Sequence, residues 1–481
     1  MHLSIKGVQF YMRNVQTRMP FKYGVATLTS VPILHVLVEI EVADGIRATG
    51  VAGDILPPKW FDKDPAKDYA ENVDDLIAMA RAAAAAYQIA GGRPRSLFDI
   101  WREGYGATLA AGDDCGLNHL TASHGSTLME RALFDGLGAA LGLSYFDLLQ
   151  ANLPGLDLGW IYAELNGVVA GDIIAPEPLN NLYIRHTVGL SDPIWTAEIA
   201  APDRLADGLP QALEEYIQVQ ALSYFKIKVN GDLEADLARL RSIAALLDQS
   251  TSDYFITLDG NEQYHNIESF VELLERMGED PQLARFYTSV LYIEQPLERS
   301  AALDVQLESG IRAVSERKPM LIDESDGDLN TFKEATRLGY LGVSTKNCKG
   351  LIKALANQGL ARHLSAATGK GYFLTGEDLM NLPVVPLQQD LAHVAALGIS
   401  HVERNGHHYV HGLDHLAAAE RQGCRQQHGS LYGCQGKSVV LKIGSGAIDV
   451  SSLQVPGLGA RVDVDVESMV PLEEWKFASL A

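Results

Sequence analysis

The sequence predicts an α/β barrel carrying a separate α+β capping domain. Beyond about residue 180, a strand-like run is followed by a helical run seven times over, the texture of a parallel barrel or a doubly wound sheet. None of these strands leads into a GxGxxG or GxxxxGKS/T loop, which removes the main support for a nucleotide-binding sheet. Before about residue 150 the alternation is missing, and strands come first with helices after.

In the first domain, PILHVLVEIEV around Leu34 to Ile40 is a β-rich run followed by Asp44-Gly45, which predicts a hairpin. Segment 66–92 is alanine-rich and stopped by Gly91-Gly92, and 127–141 reads as a second helix. The first barrel strand is placed at LYIRHTVGL (182–190), within the irregular segment 166–205. The later strands are FKIKV (225–229), YFITLD (254–259), VLYIEQP (290–296), PMLIDES (319–325), LGVSTK (341–346), GYFLTGED (371–378) and ISHVERNG (399–406). Leu233, Leu237, Leu240, Ala244 and Leu247 mark one face of the helix after FKIKV. Residues 401–436 read as a long loop with one helix, DHLAAAERQ, and the β-rich tail is expected to pair back onto the first domain. This divides the chain into 1–150, 151–434 and 435–481.

With 481 residues, two domains are the prior. A hydrophobic content of 47% with 21% charged residues fits a globular chain. A net charge of −22 repels phosphate backbones and anionic lipids, so neither nucleic acid nor membrane is expected as a partner. No stretch has the apolar length of a membrane span, and the N-terminal residues lack a signal-peptide core. Four cysteines with no CxxC pair read as free thiols of a cytoplasmic protein.

The chemistry lies at the strand ends. Five successive strands end in charge, at Lys228, Asp259, Glu294, Asp323 and Lys346, spaced by 31, 35, 29 and 23 residues, each about one β-α unit. The carboxyl ends of barrel strands converge on one mouth. Three acids from adjacent strands suit a hard divalent cation such as Mg2+. Lys226 and Lys228 are two residues apart and share a strand face. With Lys346 beyond the acid strands, a substrate carbon held between Lys228 and Lys346 could lose a proton to one and gain one from the other. Burial and like charge are expected to hold both lysines below the ordinary value of about 10.4. His407, His408 and His411 read as an ordinary polar loop rather than a second metal site. Loops 17–27 and 52–62, the latter with Trp60 and Phe61, are the expected lids over the mouth.

KIK (226–228), LDGN (258–261), IEQP (293–296), IDES (322–325) and STKNCKG (344–350) together resemble the enolase superfamily, and within it the mandelate racemase/muconate lactonizing enzyme group. MERALFDGLGAALGLSYFDLL (129–149) is similar to the helix closing that family's capping domain, and GAIDVSSLQVPGLGARVD (446–463) to its C-terminal segment. The resemblance implies a modified TIM-type (β/α) barrel, capped by the N-terminal region and the C-terminal tail. It implies Mg2+, or Mn2+ in its place, on Asp259, Glu294 and Asp323. It makes Lys228 and Lys346 the acid/base pair, with Lys226 stabilising the enolate formed from a small carboxylate. Asn261, Glu377, His401 and Glu403 are the candidate substrate contacts, and a homo-oligomer is implied. STKNCKG has one glycine where the group usually has two. Racemase or epimerase, lyase (dehydratase or cycloisomerase) and non-catalytic ligand-binding barrel all stay open.

Overall fold

The computed structural model describes residues 1–23, 26–460 and 464–480, with only the backbone of Asp44. The N-terminal sheet is built from β1 (Leu3–Tyr23), β2 (Ala26–Val42) and β3 (Arg47–Ile55), all antiparallel. The hairpin turns at Ala43–Gly45, as the sequence suggests. Two helices pack on this sheet, α1 (Tyr69–Ala90) and α3 (His119–Leu141), and α2 (Leu97–Asp114) packs against both of them. Asp68 and Glu71 cap α1 reciprocally, and Gly91 ends it. Helix α2 escaped the sequence reading because its glycines weaken helical propensity. Gly104 is there for packing: a Cβ would come within 2.4 Å of the Tyr87 ring on α1.

The barrel strands are β4 (Asn181–Val188), β5 (Tyr224–Lys228), β6 (Phe255–Asp259), β7 (Val290–Glu294), β8 (Met320–Ile322), β9 (Gly342–Thr345), β10 (Phe373–Gly376) and β11 (His401–Arg404). They are parallel in sequence order, and β11 pairs with β4 to close the cylinder. All eight fall where the sequence places them. Apolar residues such as Phe225 and Ile227 face the outer helices, while Lys226 and Lys228 face the interior, as period-two alternation requires.

The tail departs from expectation. β12 (Tyr432–Gln435) and β13 (Ser438–Leu441) form their own hairpin, and β14 (Ala447–Asp449) pairs antiparallel with barrel strand β4. Among the described residues, only β15 (Val470–Pro471) of the tail joins the N-terminal sheet, opposite Tyr11 and Met12 of β1. Part of the expected tail strand, 461–463, lies outside the described residues. The helix expected at DHLAAAERQ runs instead from Ala418 to Gln427, because Ala417 and Glu420 start it.

Candidate active site

At the carboxyl ends of β5 to β9, Lys228, Asp259, Asp323 and Lys346 line one cavity together with Lys226, and Glu294 reaches it through Lys226. Lys226 Nζ sits among four carboxylates: Glu294 at 2.6 Å, Glu377 at 2.9 Å, Asp259 at 3.0 Å and Glu403 at 3.1 Å. Lys228 Nζ donates to Asp259 Oδ2 at 2.5 Å and to Asn261 Oδ1 at 3.1 Å. Lys346 Nζ donates to Asp323 Oδ2 at 2.6 Å. The two lysines thus flank the acids, each against the carboxylate on its own side.

The lysine environment differs from expectation. Burial opposes the charge on Lys346, but Asp323 outweighs it and holds the ammonium above its usual range. Lys226 is likewise held well up, since the surrounding acids, led by Asp259 and Glu294, overcome burial. The lowering expected from burial and like charge fails at Lys346, because its ammonium touches a carboxylate directly, as that of Lys226 also does. The acids respond in opposite directions. Burial is outweighed at Asp323 by Lys346 and Lys349, which hold its carboxyl well below the usual range. At Glu294, burial together with Asp259 and Glu377 pushes the carboxyl well up.

The donor set and its surroundings test the fit for a divalent cation. Among the described residues no three His, Cys, Asp or Glu side chains are gathered tightly enough to hold an ion, because the acids lean on lysines. Yet Glu294 carries more negative neighbours than its lysine balances, and all three donors are hard oxygens. Both features suit Mg2+ on Asp259, Glu294 and Asp323.

The remaining candidates separate. Asn261 lies beyond β6 rather than on it, in a left-handed conformation (φ 47°), and its amide reaches Glu324 at 3.1 Å. Glu403 lines the cavity, whereas Glu377 does not: it is held beneath by Arg185 and Lys226. His401 is at the wrong end. It begins β11, bonds Arg185 at 2.7 Å and stacks on Tyr224 at 4.7 Å, on the amino-terminal side of the barrel. Sharing a strand face with Glu403 and Asn405 does not bring it to the mouth, since each pair of residues advances about 6.6 Å. The three loop histidines do not converge: His407 meets His186 at 3.0 Å, His408 faces Asp192 at 3.4 Å and His411 pairs with Asp414 at 2.8 Å.

Sequence reasoning missed Lys349, Glu324 and Arg299. Lys349 Nζ stands 3.0 Å from Asp323 and 2.7 Å from Ser344 Oγ. The one-turn spacing from Lys346 in STKNCKG was the available signal. Gly350, the single glycine of that loop, has φ +95°, and a Cβ there would stand 2.9 Å from Glu130 on α3. Ile352 N donates to the same carboxylate, so the lysine loop docks directly on the N-terminal domain.

Both expected lid regions cover the mouth, one at the tip of the β1–β2 pair and the other at the end of β3 and the turn after it. Phe21, Tyr23 and Leu28 descend from the β1–β2 tip, whose residues 24–25 lie outside the described set, and Ile55 and Trp60 from the end of β3. Lys346 Nζ is 4.6 Å from the Trp60 ring. Arg299, from the loop after β7, donates to the Trp60 and Phe61 carbonyls, each at 2.9 Å, and to Glu262 at 2.8 Å. The cavity volume is 40 Å³, room for a water or two, so a larger occupant needs side chains or lid to give way.

The backbone decides the comparison with known proteins. The fold is that of the mandelate racemase/muconate lactonizing enzyme group of the enolase superfamily. Similar solved structures include a dipeptide epimerase from Enterococcus faecalis complexed with Mg and a dipeptide (TM-score 0.60, 16% identity, 95% of this chain and 99% of that one). An N-succinyl Arg/Lys racemase from Bacillus cereus is similar at TM-score 0.60 and 16% identity, over 97% of each chain. A muconate lactonizing enzyme from Pseudomonas fluorescens, complexed with muconolactone, is similar at 0.57 and 16%, over 97% of this chain and 98% of that one. No family model and no curated protein matches the sequence. No described helix is long and apolar enough to cross a membrane.

Proposed function

We propose that the chain is a Mg2+-dependent enzyme that removes the proton α to a carboxylate and returns one to the other face, a racemase or epimerase with two lysine acid/bases. The observation that carries this is the bracketing of one cavity by Lys228 and Lys346, each against an outer carboxylate. Asp259, Glu294 and Asp323 would hold the cation, which when bound supplies positive charge to a substrate carboxylate as its α proton leaves. One lysine takes the proton as a neutral amine, and the other, as an ammonium, protonates the opposite face. Lys226 offsets the enolate charge, and Trp60 with the β1–β2 tip excludes water.

One observation favours the lyase reading. Lys346 Nζ donates to Asp323 Oδ2 at 2.6 Å, a contact that suits a lysine acting as cation or acid rather than base. Incubation of α-chiral carboxylates with Mg2+ in D2O, read by mass, tests both. For an epimerase, Lys228→Ala blocks deuterium uptake from one enantiomer only and Lys346→Ala from the other. For a lyase, Lys228→Ala removes all exchange while Lys346→Ala merely slows turnover. Absence of exchange across the panel with Mg2+ present overturns the shared half-reaction.

A further inference from the structure

We infer that the substrate is a monocarboxylate whose body beyond the reacting carbon is uncharged and apolar, with one N–H or O–H donor directed at Asn405. This deepens the proton-abstraction reading and rests on it. Away from the acids and lysines, the cavity wall consists of Phe21, Leu28, Ile55 and Trp60 from the N-terminal domain, facing Leu379 and Met380 after β10. Such a surface rewards an aromatic or branched aliphatic group.

The polar groups on this wall are already engaged. The Tyr23 hydroxyl donates to the Pro58 carbonyl at 2.6 Å. Asp378 accepts from Asn381 N at 2.8 Å, Asn405 N at 2.7 Å and Arg404 at 3.2 Å. Glu403 accepts from Thr187 at 2.5 Å, Lys226 at 3.1 Å and Asp378 N at 3.0 Å. A substrate ammonium therefore meets no uncommitted carboxylate. The cations that line the cavity are Lys226, Lys228 and Lys346, all against the acids. A second carboxylate or a phosphate on the substrate has no partner of its own, and burying it unpaired is strongly unfavourable.

Asn405 is the exception. It is only 4% exposed, and its Nδ2 donates to Glu403 Oε1 at 3.3 Å, which fixes the amide's orientation. Its Oδ1 is buried with no partner among the described residues. Buried acceptors are seldom left unpaired, and Asn405 lines the cavity, so a donor on the substrate completes it.

The experiment compares matched carboxylates in D2O with Mg2+. One set holds 2-hydroxy-3-phenylpropanoate and N-acetylphenylalanine, the other 2-hydroxybutanedioate and N-acetyllysine, and calorimetry measures the binding of each. Exchange is expected to favour the apolar set by about 100-fold in kcat/KM. In Asn405→Ala, both apolar compounds should lose about tenfold relative to 2-methyl-3-phenylpropanoate, which lacks the donor. That ratio is independent of the fraction of protein folded. Charged compounds exchanging as fast as apolar ones, or an unchanged ratio in Asn405→Ala, overturns the inference and leaves the reaction standing. Apolar carboxylates that bind without exchanging overturn the reaction and leave the substrate class standing. If none binds or exchanges, both are refuted.

Discussion

The two ends of the barrel interior are built from the same strands and do opposite things. At the amino-terminal end the inward residues are aromatic: Tyr224 stacks between Phe255 and His401, each 4.7 Å away, and Tyr292 packs on Phe373 at 5.2 Å. Two residues further along the same strands stand Lys226 and Glu294, and at the far end Lys228 and Asp259. Arg185 joins the levels, with His401 below and Glu377 above. One end is a plug that fixes the strands, and the other is a charged floor under a lid. Along a strand, a step of two residues separates stability from chemistry.

The largest effect is expected at the charged end. Glu294→Gln should reduce α-deuterium exchange by about 10³-fold or more, with unchanged circular dichroism, and chelation of Mg2+ should mimic it. Exchange that survives would detach Glu294 from the chemistry and break the contrast.

Between the levels, Arg185→Met leaves Glu377 buried without its guanidinium. The expected loss is about 3–5 kcal/mol of stability, read from the midpoint of urea unfolding. A stable variant with lost exchange would move Arg185 into the reaction machinery.

At the plug, His401 is held neutral, its value lowered to about 3 by burial and by Arg185. Below the ordinary value of about 6.5 the unfolded chain gains a proton there that the folded chain refuses, so stability falls as pH falls. His401→Phe should remove about 2 kcal/mol of the loss between pH 6.5 and 5, seen as a shallower pH dependence of unfolding, with exchange untouched.

The smallest effect concerns the lid. Arg299→Ala frees the Trp60 and Phe61 carbonyls, while Lys63 still pairs with Glu262. It should lower kcat/KM about tenfold while leaving the melting temperature nearly unchanged. A large loss of stability instead would make Arg299 a structural strut.

How much of this was legible follows from range. The eight barrel strands were readable because each is a short apolar run beside a helical period, and Lys228, Asp259, Glu294, Asp323 and Lys346 because one-per-unit spacing needs only the barrel's repeat. Strand β1 and helix α2 were not, since mixed polarity along one and glycines within the other mask their periods. His401 was identified by face correctly and by depth wrongly, and Glu377, named from the resemblance, also lies below the cavity. Face follows from the two-residue alternation of a strand, but depth depends on where each strand starts in the closed cylinder, which pairing with neighbours decides.

Pattern and spacing along the chain therefore set the architecture and bring the charged groups to one mouth. Which of those groups meet depends on packing in three dimensions. Lys346 pairs with Asp323, Glu377 with Arg185, and Arg299 carries the lid. Charges brought within 3 Å of one another set each other's protonation, and such proximity joins residues more than 20 to nearly 200 positions apart, which no local pattern encodes.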